Sequence, residues 1–152
     1  MLERFEPVGA TTRLNDDGTF SMKGGSGVFV FKKNLNVALG KTNAVEIKVK
    51  VTSVARVDMW VIGEYVLDGE RKENFDYAEG GYNAYYGDSV RCTISPADEN
   101  GYAIYKFDLT KPFDNDVAGK SFAYTVIKGF RIDIVGGDAA TNELRIESVR
   151  SV

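Results

Sequence analysis

Histidine is absent from these 152 residues, and cysteine occurs once, at Cys92. Without histidine the Ser/His and Cys/His nucleophilic arrangements and the usual zinc sites have neither base nor imidazole ligand, and one cysteine cannot close an internal disulfide. The chemistry left open is that of carboxylates, lysine or tyrosine, or none. Tryptophan is also single, at Trp60. No apolar run approaches the roughly 20 residues that cross a bilayer, so no membrane association is expected. Positive charge is neither abundant nor clustered: 19 Lys and Arg against 22 Asp and Glu give a formal net charge of -3, which leaves no electrostatic footprint for nucleic acid. Met1-Leu2-Glu3-Arg4 lacks a positive stretch followed by an apolar one, so the chain as given shows no secretion signal, although a module taken from a longer secreted protein would begin the same way.

What is present is ordinary globular composition, 43% hydrophobic and 27% charged, over a length that suits one domain, residues 1–152. Several segments alternate apolar and polar residues with a period of two, the signature of a strand with one buried face. In Ala44 to Val54, Val45, Ile47, Val49 and Val51 point one way and Glu46, Lys48, Lys50 and Thr52 the other. Tyr102 to Leu109 alternates likewise, with Ala103, Tyr105, Phe107 and Leu109 in phase. Ile127 to Val135 puts Phe130, Ile132 and Ile134 on the core face and turns Arg131 and Asp133 outward. Shorter candidates are Thr19 to Lys23, Val28 to Lys32, Val57 to Ile62, Val90 to Ser95 and Leu144 to Val152. Turns rich in Gly, Asp and Asn separate them, as at Asp16-Asp17-Gly18 and Gly136-Gly137-Asp138. Many short strands with turn signals between them predict an all-β fold, a two-sheet antiparallel β-sandwich of the jelly-roll kind.

The stretch from Gly63 to Ser89 breaks the alternation and reads as a long loop or a pair of irregular strands. Within it, Phe75 to Gly87 sets Tyr77, Tyr82, Tyr85 and Tyr86 among Gly, Asn and carboxylates. A pyranose has C–H groups on its faces and hydroxyls on its rim, so an aromatic ring can take the face while Asp, Asn or Arg takes the rim. Each tyrosine can equally be a core or hydrogen-bonded anchor; as a cluster they point to a sugar. In Val57 to Ile62 the parity sets Met59 and Val61 toward the core and leaves Asp58, Trp60 and Ile62 on the other face, where Trp60 is a ligand platform; with the phase reversed it is a core residue. Tyr65 joins Trp60 and the loop tyrosines as a stacking candidate, with Asp58, Arg131 and Asp133 as the hydroxyl-binding partners. Carboxylates at Glu64, Asp68, Glu70, Asp76, Glu79 and Asp88 keep a glycosidase pair open, but nothing marks one pair out. Asn15-Asp16-Asp17-Gly18 and Gly24-Gly25-Ser26-Gly27 read as turns, since neither continues into a calcium or phosphate motif.

Phe5-Glu6, Gly101-Tyr102 leading into Tyr105-Lys106-Phe107-Asp108-Leu109, and the closing Leu144-Arg145-Ile146-Glu147-Ser148-Val149 resemble features of the jelly-roll carbohydrate-binding modules that accompany polysaccharide-degrading enzymes. The resemblance covers the two ends and one middle strand. It implies a structural calcium ion shared by an acidic residue from each end, here Glu6 and Glu147. It also implies a secreted, monomeric, non-catalytic module of a larger multidomain protein that binds a plant or microbial cell-wall glycan such as a β-glucan or hemicellulose. The alternatives are a small glycoside hydrolase or lyase using two loop carboxylates or a Tyr base, and a surface adhesion domain whose aromatic loop meets another protein.

Overall fold

Val45, Ile47 and Val49 occupy alternate positions of one strand and all are buried, while Glu46, Lys48 and Lys50 between them are not. A pleated strand turns successive side chains to opposite faces, so this spacing builds an apolar face that must find another. Complete burial of each Val, Ile or Phe on such a face contributes about 1.5–3 kcal/mol.

The computed structural model describes residues 5–8, 12–23, 28–31, 37–38, 43–74, 81–85, 91–111, 123–138 and 140–152, without the side chains of residues 5–8, 12, 28–31, 37, 83 and 85. Among them are thirteen strands and no helix: β1 Phe5–Val8, β2 Thr12–Leu14, β3 Phe20–Lys23, β4 Val28–Phe31, β5 Val37–Ala38, β6 Ala44–Thr52, β7 Arg56–Leu67, β8 Glu70–Glu73, β9 Gly81–Tyr85, β10 Cys92–Ile94, β11 Ala103–Asp108, β12 Tyr124–Val135 and β13 Glu143–Ser151.

All the pairings are antiparallel. One sheet runs β10-β11-β6-β13-β3-β2; the other runs β1-β4-β12-β7-β8, with β9 on the first half of β7 and β5 on β12. In the first, β3 lies beside β13 and β6 separates β13 from β11; in the second, β4 lies beside β12 and β7 separates β12 from β9. Early strands thus pair with late ones, and the chain alternates between sheets as it closes inward, which is the jelly-roll wrap. The architecture matches the one expected from the alternation.

The core lies between the sheets. Ile47, Val49, Phe107, Leu144 and Ile146 come from one, Val57, Met59, Val61, Phe130, Ile132 and Ile134 from the other. The Asn15 to Gly18 turn closes β2 onto β3, with Gly18 at φ 81° and Asn15 donating to the Thr19 carbonyl at 2.8 Å. Asp17 is taken up by Thr19 and Arg145, as a turn residue is.

Of the two readings of the 63–89 region, a long loop or irregular strands, its described residues follow the second. β7 runs on through Leu67, turns at Asp68-Gly69 into β8, and the chain returns as β9. Its alternation is interrupted at Gly63, where β12 is bulged between Tyr124 and Val126 and again between Ile127 and Gly129. Asn74 repairs the break. Its amide donates to the Val61 carbonyl at 2.7 Å, its Oδ1 accepts from Gly63 N at 2.8 Å, and its own N–H donates to the Gly63 carbonyl at 3.2 Å.

Candidate functional site

The face of β7 and β12 turned away from the core carries the same short pattern twice. On β7 it is Arg56-Val57-Asp58 and on β12 Arg131-Ile132-Asp133, in each case with the middle residue in the core. Residues two apart share a face of a strand, so each arginine reaches the carboxylate of its own strand. Arg56 Nε donates to Asp58 Oδ1 at 2.9 Å. Arg131 donates to Asp133 Oδ2 from Nε at 3.2 Å, with its second nitrogen 3.1 Å away. The antiparallel register sets Asp58 directly opposite Asp133, and Trp60 directly opposite Arg131.

Trp60 is half-buried on this face, as its parity predicts. The Arg131 guanidinium lies over the indole, 5.5 Å from the ring centroid, a cation–π contact. On the other side β9 brings Gly81 into register with Trp60. A Cβ on Gly81 would meet the indole Cε3 and Cζ3 at 2.9 Å, so glycine is what makes room for the ring.

Burial sets the electrostatics. Asp58 is only 1% exposed, although it does not face the core. Burial raises its proton affinity above the ordinary carboxylate value, against the hydrogen bond from Arg56 and the charges of Arg56 and Arg131. Asp133 is raised for the same first reason, opposed by Arg131, raised further by the charge of Asp58 and lowered slightly by the nearby indole N–H. That N–H falls short of a hydrogen bond. Trp60 Nε1 and Asp133 Oδ1 are both buried with no hydrogen-bond partner among the described residues.

Neither a family model nor a curated protein matches the chain. The chemistry of the face therefore stands on its residues: a flat indole and two guanidinium–carboxylate pairs. Such a surface can stack on an apolar ring face and exchange hydrogen bonds with hydroxyls at its rim.

Of the residues expected to bind sugar, Asp58, Trp60, Arg131 and Asp133 come together on this face. Tyr65 and Tyr82 are corrected to the core, at 6% and 0% exposure. Tyr65 continues the odd-numbered core phase of β7, where it meets Tyr124 edge-to-face at 6.1 Å, and Tyr82 pairs with the core residue Met59. Neither offers a ring face to a ligand. Tyr85 lies on β9 opposite Arg56, its side chain outside the described set, and Tyr77 and Tyr86 lie outside the described residues.

The two acidic residues assigned to calcium belong to different sheets. Glu6 is on β1, its side chain outside the described set; Glu147 is exposed on β13 and ion-paired to Lys48 at 2.7 Å. Among the described residues there is no cluster of three or more acidic or thiol groups able to hold a metal ion.

Arg56 and Gly81 are the members of the face that sequence reasoning missed. The repeated Arg-x-Asp on two strands was the available signal for the first. Gly81 has none without the register. The outer face of the other sheet contrasts with this one: Glu46 binds Arg150 and Lys106, and Lys48 binds Glu147 and Asp98, a ladder of exchanged charges with no described tryptophan.

Proposed function

We propose that this chain is a non-catalytic glycan-binding module whose ligand site is the outer face of β7 and β12, centred on Trp60. One observation carries this reading: an indole, a guanidinium, a buried carboxylate at Asp58 and a partly buried one at Asp133 are gathered on the non-core face of a sheet. Burying a charged pair there stabilises the fold little or not at all, so its placement is better accounted for by recognition than by packing. Each carboxylate already has an arginine, which suits a fixed polar rim better than the differing acid and base roles of a hydrolase.

Because Trp60 is the sole tryptophan, the protein's indole emission reports on this face alone. Titration with a panel of soluble polysaccharides, run beside native affinity gels, is expected to shift that emission with the same midpoint that governs retention in the gel. Retention without a change in emission moves the site elsewhere. Absence of retention on every glycan, with capture by a partner protein instead, favours an adhesion domain.

A further inference from the structure

We propose that Asn100 is this chain's deamidation site and that the Asp98 carboxylate, by clamping the turn around it, sets how fast the site reacts. The modification is independent of glycan binding. Of the nine asparagines only Asn100 is followed by glycine. Closure of a succinimide brings the next residue's backbone nitrogen onto the asparagine Cγ, and glycine, lacking a Cβ, leaves that approach open. Asn100 and Gly101 are both exposed between β10 and β11, and the Asn100 side-chain amide has no hydrogen-bond partner among the described residues. The Gly101 nitrogen, its proton lost to hydroxide, bonds to Asn100 Cγ as the Cγ–Nδ2 bond breaks, and the amide leaves as ammonia with a proton drawn from water. Water then opens the ring at one carbonyl to give aspartate or at the other to give isoaspartate, whose backbone runs through Cγ and is one methylene longer.

The native turn restrains this step at the attacking nitrogen. Gly101 N donates to the Asp98 carbonyl at 2.9 Å, which holds the proton that must be lost, and Asp98 N donates to the Tyr102 carbonyl at 2.7 Å, which closes the turn. Asp98 Oδ1 accepts from Asn100 N at 3.0 Å and from Tyr102 N at 2.9 Å, so one carboxylate oxygen fixes the backbone on both sides of Gly101 N. Lys48 holds the same carboxylate at 3.1 Å, and Lys50 donates to the Asn100 carbonyl at 3.1 Å. Ring closure rotates the bond between Asn100 Cα and that carbonyl, so the turn has to open first. The isoaspartate product cannot re-form it, because the added methylene carries Gly101 N out of register with the Asp98 carbonyl. The edge strand β10 pairs with β11 through Cys92, Thr93 and Ile94 next to this turn, and loses its anchor there.

The test incubates the intact chain in mildly alkaline buffer at physiological temperature, with and without concentrated urea, and follows every asparagine by peptide mapping and mass spectrometry. In urea Asn100 is expected to convert before any other asparagine; another converting first overturns the site. In native buffer its conversion is expected to be at least about tenfold slower than in urea, and equal rates overturn the clamp. Asp98→Ala, checked for an unchanged fold by circular dichroism, is expected to bring the native rate close to the rate in urea. Asp98→Asn, which keeps one oxygen for the two N–H donors, is expected to fall between Asp98→Ala and wild type. An unmoved rate in folded Asp98→Ala overturns the positioning role of Asp98, and the wild-type comparison of native and urea rates decides on the clamp even where the variant fails to fold. In the isoaspartate form, separated by chromatography, native alkylation of Cys92 is expected to rise; labelling no faster than in the unmodified chain overturns the loosening of β10.

Discussion

Asp58 and Asp133 stand directly opposite each other across β7 and β12, and each is neutralised by the arginine two residues before it on its own strand. Like charges directly opposite on antiparallel strands repel, with Cα atoms about 4.5–5.5 Å apart, and both carboxyls are raised above their ordinary values with burial as the first cause. The linkage sign follows. A carboxyl whose folded pKa lies above its unfolded one disfavours folding at neutral pH and ceases to do so as pH falls through the folded value. Asp58→Asn removes that penalty together with the pair to Arg56, which is exposed enough to be solvated alone. Its stability is expected within about 1 kcal/mol of wild type at neutral pH. Relative to wild type it should then decline toward pH 4, because only the wild type gains from protonation. Urea denaturation of both proteins at several pH values measures this, and a difference that does not change with pH contradicts it.

Two glycines of the same sheet should respond oppositely to the same change. The atoms nearest a methyl at Gly81 are those of the Trp60 indole, an end that can swing, so Gly81→Ala is expected to displace the ring and weaken glycan binding at little cost in stability. At Gly63 the added Cβ would lie 2.2 Å from the Val126 carbonyl oxygen and 2.7 Å from the Tyr124 ring, inside a bulged and buried strand pair. Gly63→Ala should lower stability by about 3 kcal/mol or fail to fold. Melting temperature and Trp60 emission, read on both variants, separate the two.

The jelly roll was legible because the period-two alternation in β6, β11 and β12 survives wherever a strand has one core face. It faded where that condition lapsed. Gly63 has no side chain to mark the core phase of β7, Val66 beyond it is apolar yet exposed, and the turn into β8 is charged, so Tyr65 was grouped with the loop aromatics rather than with Met59 and Val61. Tyr82 was misplaced for a related reason: β9 is five residues long, and only its pairing with Met59 decides which way it faces. Asp58, Trp60, Arg131 and Asp133 could be found since parity alone turns them away from the core. That they meet depends on register, which no local pattern carries.

Asn74 makes up the β7 hydrogen bonds that the β12 bulges leave open, with donor and acceptor of its amide both used and its side chain buried. Asn74→Ala leaves Gly63 N–H and one demand on the Val61 carbonyl unmet, though Tyr124 Oη still donates to that carbonyl at 3.1 Å. A loss of about 2–3 kcal/mol is expected from denaturant titration. Asn74→Asp keeps the acceptor but loses the donor, and should be no better at neutral pH. A cost below about 0.5 kcal/mol for either would remove Asn74 from its place in the bulge.

Cys92 is a sensor of unfolding rather than a reactive group. It is buried on β10, and burial pushes its thiol up to about 12, so almost no thiolate exists at neutral or mildly alkaline pH. Alkylation by iodoacetamide should be negligible in native buffer and should rise with urea along the same curve as loss of near-ultraviolet circular dichroism. Rapid native labelling would instead mean that β10 opens by itself.

Trp60 decides between platform and packing. Its ring is half-buried, held between Gly81 and Arg131 on the face opposite the core, whereas Phe107 and Ile132 are fully enclosed. Truncating an enclosed aromatic such as Phe107 costs about 3–5 kcal/mol through lost transfer energy and a residual cavity. Trp60→Ala opens no cavity between the sheets and removes mainly the contacts with Gly81 and one cation–π pair, so a stability loss nearer 1 kcal/mol is expected. Glycan affinity, by contrast, should fall at least about tenfold, or 1.4 kcal/mol, as the stacking surface disappears. Trp60→Phe keeps a flat ring of smaller area, and should retain part of the affinity. The ranking wild type, then Phe, then Ala in affinity, with melting temperatures that barely separate, is the signature of a platform. A melting temperature that collapses in Trp60→Ala, to the extent seen in Phe107→Ala, would return the indole to a structural role and leave the face without its stacking surface.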